Sequence, residues 1–415
     1  MKWLFKHLNG DKFIWGIVIL LALFSLMPVY SASTNLVYTI GTGQKTIHYL
    51  LKHMAHISVG LIFMWLIHRL DYKYYKVIGD LGIPVIIVVL FYTLLKGTMI
   101  GGANASRWVS ILGVQFQPSS IAAIVILVYV AHYFAKVKDE EVSFSSSLVR
   151  LWLPVAVVVA LILPANFSTA FLISLAVVTL SILGGYSFKH LAKILGIAIA
   201  CLTIFVLTAK AFPGVFPNRV DTWISRIDRF MNSDEEGQDL YQVQNAKMAI
   251  ASGGLIGLGP GKSIQKNFLP QSSSDFIYAI IVEEYGLVMG IGIVVVYMFL
   301  FFRFLIGMHR APTLFGQLLI CGLGFYIIYQ TLINLGVAVS LLPTTGQPLP
   351  LISSGGTSIW MTCVAIGMIL SVTKSEKEIQ ARELERQETA EKEEQELEKI
   401  VLEKEKNLAK QEIAN

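Results

Sequence analysis

Apolar runs of roughly 20 residues recur along most of this 415-residue chain, and no other feature constrains its fold as strongly. In a bilayer every backbone polar group needs a partner within the protein, so such runs form helices. The sequence therefore predicts an all-α polytopic membrane protein with ten transmembrane helices within residues 1–373. The ten predicted spans are 13–29, 47–67, 77–95, 119–135, 148–163, 167–184, 191–210, 276–302, 314–340 and 352–372. A large loop, 211–275, separates spans 7 and 8.

The first run raises one alternative, because Ser31-Ala32-Ser33 after it could serve as a signal-peptide cleavage site. Nine further spans favour an uncleaved first helix. An even number of spans then places both termini on the same side of the membrane.

Basic residues in the short loops set the predicted orientation. If the N-terminus is cytoplasmic, thirteen lysines and arginines lie on the cytoplasmic side and three on the opposite side. The three are Lys45, Lys96 and Arg107. This bias predicts cytoplasmic termini and an extracytoplasmic loop 211–275, which in a bacterium would lie in the periplasm or at the outer face of the membrane.

The net charge of +5 hides an uneven distribution. Residues 374–415 carry 13 acidic and 9 basic side chains, which predicts a charged cytoplasmic tail. The remaining basic excess suits anionic membrane lipids and an anionic substrate, and it does not by itself indicate nucleic acid.

The stretch Gln271–Gly286 carries the strongest functional signal. Asp275 lies where a polar loop meets an apolar helix, and carboxylates at the edge of a membrane span mark function by default. Asp275 could simply cap the helix N-terminus. The same position would keep the carboxylate ionised, as a general base requires, so the two roles are compatible.

Two glutamates follow in the predicted helix. At about 100° per residue, Glu283 projects roughly 80° from Asp275 and Glu284 roughly 180°. Glu283 is therefore the better candidate to support the same site, and Glu284 is expected to pair with a neighbouring helix.

Three other outer segments have an unusual composition. Arg107 and Trp108 precede Gln117, and they suit either an interfacial aromatic belt or contacts to an anion and a sugar. The glycine-rich turn before Lys262 lacks P-loop spacing, because residue 256 is isoleucine, but its backbone could hold a phosphate. Irregular Pro/Gly backbone at 343–358 predicts a polar pocket, since such backbone survives at membrane depth only against protein or water.

These segments together resemble the SEDS (shape, elongation, division and sporulation) glycosyltransferases, along all ten spans. The matching motifs are Arg107-Trp108, Gln117-Pro118-Ser119, Tyr241-Gln242-Val243-Gln244, Gly257-Leu258-Gly259, Leu269-Pro270, Asp275-Phe276-Ile277-Tyr278-Ala279, Glu283-Glu284, Pro343-Thr344-Thr345-Gly346 and Ser353-Ser354-Gly355-Gly356. Two departures stand out: Ser120 replaces a glutamate common in the family, and Asn166 lies where an aspartate is common.

The resemblance implies polymerisation of lipid II into glycan strands at the outer face of the bacterial cytoplasmic (inner) membrane, with Asp275 as general base. Departure of the pyrophosphate needs cations, for which Arg107, Arg226 and Lys262 are candidates; a divalent cation, Mg²⁺ or Mn²⁺, could share this task. Further candidate substrate-binding residues are Trp108, Gln117, Gln242, Ser353, Ser354 and Gly355, with Glu283 supporting Asp275. No metal ligands are identified.

The resemblance also implies a partner, a class B penicillin-binding protein with transpeptidase activity, together with other division proteins. The charged tail favours the division (FtsW-like) branch over the elongation (RodA-like) branch. Two other classes stay open: a lipid II flippase, suggested by the broken late spans, and a division scaffold without chemistry.

Overall fold

A computed structural model describes residues 8–34, 46–97, 107–111, 114–138, 143–211, 238–269 and 271–374. The helices are α1 (Lys12–Ala32), α2 (Thr46–Ile67), α3 (Tyr75–Lys96), α4 (Pro118–Lys136), α5 (Phe144–Ser147), α6 (Leu153–Ile162), α7 (Phe167–Leu183), α8 (Phe188–Ala211), α9 (Gln238–Gly253), α10 (Ile277–Arg310), α11 (Leu314–Ala338) and α12 (Gly356–Val372). The strands are β1 (Val109–Ile111) and β2 (Val114–Phe116). A π-helical turn, Leu148–Trp152, joins α5 to α6, and 3₁₀ turns cover Tyr72–Tyr74 and Gln265–Asn267.

Eight helical segments within the described part of the chain are long and apolar enough to cross a membrane. Two shorter apolar helices, α7 and α12, accompany them. Each of these ten segments overlaps a predicted apolar run, with ends that agree to within about five residues except in α10, which extends eight residues beyond the predicted end, to Arg310. The chain is an integral, polytopic membrane protein of mainly helical structure.

Helices α4 and α11 lie at the centre of the bundle, since they are the two most buried of the eight long candidate spans. Helix α4 packs against α3, α7 and α11, while α12 packs against α2. Helix α8 lies at the periphery with most of its side chains exposed.

Charged and polar groups join three helices at one end of the bundle. Arg303 of α10 donates through Nε to Asp11 Oδ2 over 2.9 Å, and the Asp11 amide donates to Thr373 Oγ1 over 3.1 Å. We call this the Asp11 end. Ser31, at the opposite end of α1, contacts Glu284 and Lys266 near the loop that carries Asp275, and we call that the Asp275 end.

The β1–β2 hairpin is an addition to the predicted all-α fold. Its alternating Val109, Ile111, Val114 and Phe116 have the β-branched and aromatic side chains that favour strands. Val109 pairs with Phe116 in antiparallel register, which brings the residues just outside the strands together.

Helix α10 is broken at Gly286, whose φ of 80° and ψ of 172° are not helical. The segment after α9 occupies the break: Leu258 and Gly259 donate their amides to the carbonyls of Glu283 and Glu284, each over 2.9 Å. Backbone groups freed by the break therefore keep partners, as the membrane requires.

Candidate active site

A cavity of about 360 Å³ opens at the Asp275 end of the bundle. Its mouth is polar and includes Arg107, Gln117, Asn166, Gln271 and Asp275. Its floor, the part farther from Asp275 along α4, α11 and α12, is largely apolar, lined by Ile124, Tyr326, Ile327, Met361 and Ala365 beside Gln330 and Thr362. Ala365 lies nine residues along α12, so the cavity reaches about 14 Å into the bundle.

Asp275 belongs to a turn, 271–276, in which three consecutive carbonyls, those of residues 273–275, accept hydrogen bonds from α11 and from the segment before α12. The Ser354 amide donates to Ser273 O over 2.8 Å, and Ser353 Oγ donates to Ser274 O over 2.5 Å. Asn334 Nδ2 donates to the carbonyl of Asp275 itself over 2.9 Å. On the other side, Ser272 Oγ donates to Ala32 O in α1 over 3.2 Å. The backbone beneath the carboxylate is thus fixed before any substrate binds.

The irregular segment 343–355 is supported by the side chains of α10 and α11. Asn334 donates a second time, to Gln347 O over 2.7 Å, and Gln330 Nε2 donates to Pro348 O over 3.0 Å. The hydroxyl of Tyr297 donates to Pro350 O. These bonds are the protein partners that irregular backbone needs at membrane depth.

Gly346 lies directly beside the Asp275 carboxylate. A Cβ at Gly346 would stand 3.5 Å from Asp275 Oδ2. Its φ of +67° also lies in the left-handed region, where a side chain is disfavoured. Glycine here both shapes the turn and leaves space next to the carboxylate.

Asp275 does not occupy the helix cap position predicted as one of its possible roles. Helix α10 begins at Ile277, and its N-cap residue is Phe276. The carboxylate instead lies at the cavity mouth, one residue before the cap.

The hairpin and the turn before α7 bring the early residues to the same cavity. The register of β1 and β2 places Trp108 opposite Gln117, and both line the cavity with Arg107. Arg107 Nε donates to Ala165 O over 2.6 Å, which orients the guanidinium at the mouth. Next to it, Asn166 caps α7 by accepting from the Thr169 amide over 3.2 Å.

The predicted site residues therefore separate into two groups. Those that line the cavity are Asp275, Arg107, Trp108, Gln117, Ser354 and Gly355. Ser353 lies behind the wall: it is 2% exposed, and its hydroxyl also accepts from the Leu349 amide over 2.7 Å.

Glu283, Gln242 and Lys262 lie away from the cavity wall. Glu283 is fully buried and accepts from the Ser263 hydroxyl and from the amides of Ile264 and Gln265. Glu284 accepts from Ser31 of the neighbouring helix α1 and from the Ser263 amide. The predicted cation Arg226 lies outside the described residues.

The segment 343–358, from which a polar pocket was predicted, contributes Gln347, Thr357 and Ser358 to the cavity. Several residues that line the cavity were nevertheless not named as candidate site residues. They are Ser120, Asn166, Thr169, Gln271, Gln330, Gln347, Thr357, Ser358 and Thr362. Polar side chains inside otherwise apolar runs, such as Gln330, are the signal that could have found some of them.

A divalent cation at this mouth would have Asp275 as its protein carboxylate. The described residues hold no cluster of three or more His, Cys, Asp or Glu side chains suited to a metal. This arrangement fits Mg²⁺, which commonly binds one or two carboxylates together with substrate phosphates.

Comparison with known proteins decides the family. Residues 11–378 match the profile of the FtsW/RodA/SpoVE proteins, described as cell cycle proteins. The chain belongs to this family. Among its relatives, a probable peptidoglycan glycosyltransferase FtsW of Enterococcus hirae is 30% identical over 92% of this chain and 97% of its own length. The probable peptidoglycan glycosyltransferase FtsW of Mycobacterium tuberculosis is 31% identical over 91% of this chain and 70% of its own length.

Two solved structures share the fold of this chain. A chain of a peptidoglycan synthase complex aligns with a TM-score of 0.68 at 21% identity, covering 88% of this chain and 97% of that one. The rod shape determining protein RodA of Thermus thermophilus aligns with a TM-score of 0.61 at 20% identity, covering 88% of this chain and 96% of that one.

Proposed function

We propose that this protein is a peptidoglycan glycosyltransferase that polymerises lipid II during septal wall synthesis, with Asp275 as the general base. The proposal is supported by relatives named as FtsW peptidoglycan glycosyltransferases across nearly the whole chain. One structural observation carries the mechanism. Asp275 stands at the polar mouth of a cavity whose floor is apolar.

This division of polarity suits a lipid-linked sugar. The polar mouth offers hydrogen-bonding groups for a disaccharide and a cation, Arg107, for a pyrophosphate. The apolar floor suits the first isoprene units of the lipid. Such a cavity, with a few convergent polar groups, is the default location for a binding site.

The reaction follows from the placement of the carboxylate. Asp275 accepts the proton of the acceptor hydroxyl as that oxygen attacks the anomeric carbon of the growing strand. The bond from this carbon to the pyrophosphate oxygen breaks, and the configuration inverts. Arg107 stabilises the negative charge on the departing pyrophosphate. A divalent cation bound by Asp275 and the phosphates would supply further charge neutralisation.

The proposal includes the position of the protein in the cell. The ten-span arrangement predicted from the sequence, with both termini cytoplasmic, places the Asp275 end at the outer face of the inner membrane. Its partner would be a class B penicillin-binding protein, in line with the synthase complex that shares the fold. The division branch is favoured by the FtsW relatives.

The decisive experiment combines the purified protein, its partner transpeptidase and lipid II in liposomes. Asp275→Asn should lower glycan-strand formation by at least about 100-fold, since general-base catalysis contributes roughly 10²–10⁴. Binding of lipid II should persist in this variant. Strand formation at the wild-type rate with Asp275→Asn would overturn the mechanism.

The same preparation tests the transporter alternative. If the wild-type pair formed no strands but carried lipid II across the liposome membrane, the protein would be a flippase. A cavity that reaches about 14 Å from one end, within a hydrocarbon thickness of about 30 Å, supports the polymerase instead.

A further inference from the structure

The segment between α9 and the Lys262 turn lies against α10 at the Gly286 break. Gly254 O and Leu255 O accept from the amides of Leu287 and Val288, over 2.9 and 3.3 Å. A Cβ at Gly286 would collide with the backbone of Leu255 and Ile256. The depth of these two residues in the bundle is thus fixed by the depth of 286–288.

Both residues are large, apolar and exposed. Leu255 is 68% exposed and Ile256 is 87% exposed. They continue an exposed apolar surface on α10 that runs along the bundle, formed by Leu287, Val288, Ile291, Val295, Met298, Phe299 and Phe302. A surface of this kind on a membrane-spanning helix is the surface that lipid covers.

Two independent measures give the depth of this segment. From Arg303 at the Asp11 end to Val288 there are 15 residues of α10, or about 22 Å. From Asp11 to Ser31 there are 20 residues along α1, or about 30 Å, and Ser31 contacts Glu284 on the far side of the break. A hydrocarbon layer of about 30 Å that begins at Arg303 ends near Ser31 and Glu284.

Leu255 accepts from the Val288 amide, and Ile256, the next residue, lies against Gly286. Both residues therefore lie inside that boundary. Their polar backbone does not oppose this placement, because the break in α10 binds the segment at four points. The adjoining turn, with Gly259, Gly261 and exposed Lys262, stands on the polar side of the boundary.

We propose that Leu255 and Ile256 form a lipid-insertion site, with both side chains among the acyl chains of the leaflet at the Asp275 end. The insertion fixes the end of α9 to the bilayer. It also restrains the following segment 263–265, which is bonded to Glu283 of α10. The proposal is independent of the reaction catalysed.

Spin labels in the full-length chain, reconstituted in phosphatidylglycerol/phosphatidylethanolamine nanodiscs without a partner, test the site. The background removes the three free cysteines by Cys201→Ser, Cys321→Ala and Cys363→Ala. Labels are then placed by Ile256→Cys, by Phe299→Cys as the lipid-facing control and by Lys262→Cys as the aqueous control. Power saturation compares access of oxygen, which concentrates in lipid, with access of a water-soluble nickel chelate.

We expect the label at 256 to resemble the label at 299, with oxygen access severalfold above chelate access, and the label at 262 to show the reverse. A label at 256 that matches the label at 262 overturns the proposal. Access to neither reagent overturns it as well, because a second copy would then cover the site.

A second measurement keeps the native cysteines. Benzoylphenylalanine at position 256 of the otherwise wild-type chain is irradiated in the same nanodiscs and analysed by mass spectrometry. A lipid adduct supports insertion. A peptide adduct from a second copy, or no adduct beside a lipid-modified control at position 299, contradicts it.

Discussion

The carboxamide of Asn334 donates to the main-chain carbonyl of Asp275 over 2.9 Å, and through the same nitrogen to Gln347 O over 2.7 Å. One side chain of α11 thus joins the turn that carries the carboxylate to the segment that carries Gly346. With the bonds from Ser353 and Ser354, it holds the main chain of the Asp275 turn. Because these bonds are made to main-chain carbonyls, a substitution of Asn334 can displace the Asp275 carboxylate without replacing it.

We expect Asn334→Ala to lower the turnover of strand formation more than it raises KM for lipid II. The variant leaves two carbonyls without their donor, and a displacement of about 1 Å at a reacting group can cost roughly 100-fold. Steady-state kinetics with the partner transpeptidase measures both constants. Leu332→Ala, an exposed position on the same helix, is the control and should keep the wild-type rate. An unchanged turnover in Asn334→Ala would show that the hydrogen bonds of Asn334 do not position Asp275.

Gly346→Ala should lower the rate of strand formation by more than the strain of its left-handed backbone would cause alone. Adoption of φ +67° by alanine costs about 1–2 kcal/mol, and the new methyl group stands 3.5 Å from Asp275 Oδ2, in the space a substrate or cation would use. The matched control is Gly261→Ala, with φ +78° and open space around its Cβ position.

Both glycine variants should lose similar thermal stability. Only Gly346→Ala should also lower the rate of strand formation, by about 10-fold or more, because a further loss of about 1.4 kcal/mol in transition-state stabilisation is a factor of ten. Rates and melting temperatures of the two proteins, measured side by side, give the answer. Equal losses of activity would mean that strain, and not crowding of the carboxylate, explains the effect.

The sequence predicted the membrane spans well because hydrophobicity over about 20 residues is a local property. It also placed Asp275 at the edge of a span, since a polar-to-apolar change is visible in the chain itself. The hydrogen bonds that hold the Asp275 turn could not be predicted in this way. Asn334 and Ser353 act on backbone groups 59 and 79 positions away, and no local pattern encodes such a contact.

Glu283 shows how a local assumption failed. The predicted projection of Glu283 towards the site assumed one continuous helix from Asp275. The helix instead begins at Ile277, so Asp275 is not part of it, and the loop 263–265 comes to the Glu283 carboxylate. Ser353 is similar: serine suggested substrate contact, while the buried hydroxyl binds the backbone.

Arg107 and Lys262 were equal candidates in the sequence, and the structure separates them. Arg107→Ala should lower kcat/KM by roughly 100-fold or more, as the loss of one transition-state donor commonly does. Arg107→Lys keeps the charge but loses the hydrogen bond from Nε to Ala165 O, which orients the guanidinium. Loss of this bond, worth about 1.5 kcal/mol, should lower kcat/KM by roughly 10-fold. Lys262→Ala, away from the cavity, should retain wild-type kinetics. Equal effects of Arg107→Ala and Lys262→Ala would contradict this assignment.

Glu283 should act as the anchor of the loop 258–269, and not in the reaction directly. Its buried carboxylate accepts from the Ser263 hydroxyl, from Ile264 N over 2.9 Å and from Gln265 N over 3.2 Å. Glu283→Ala removes all three bonds, each worth about 1.5 kcal/mol or more to a charged acceptor. Amide hydrogen exchange should then accelerate by at least about 10-fold in 258–269, since 1.4 kcal/mol is a factor of ten.

Glu283→Gln keeps one acceptor oxygen and should give an intermediate rate of exchange, while Ile291→Ala, an exposed position farther along α10, should leave the loop unchanged. Exchange in the first turns of α11 and α12 serves as the internal reference for global stability. If protection fell equally in all three regions, Glu283 would stabilise the whole bundle and not the loop. If exchange accelerated only in 258–269, the Glu283 carboxylate would be the group that holds this loop in place.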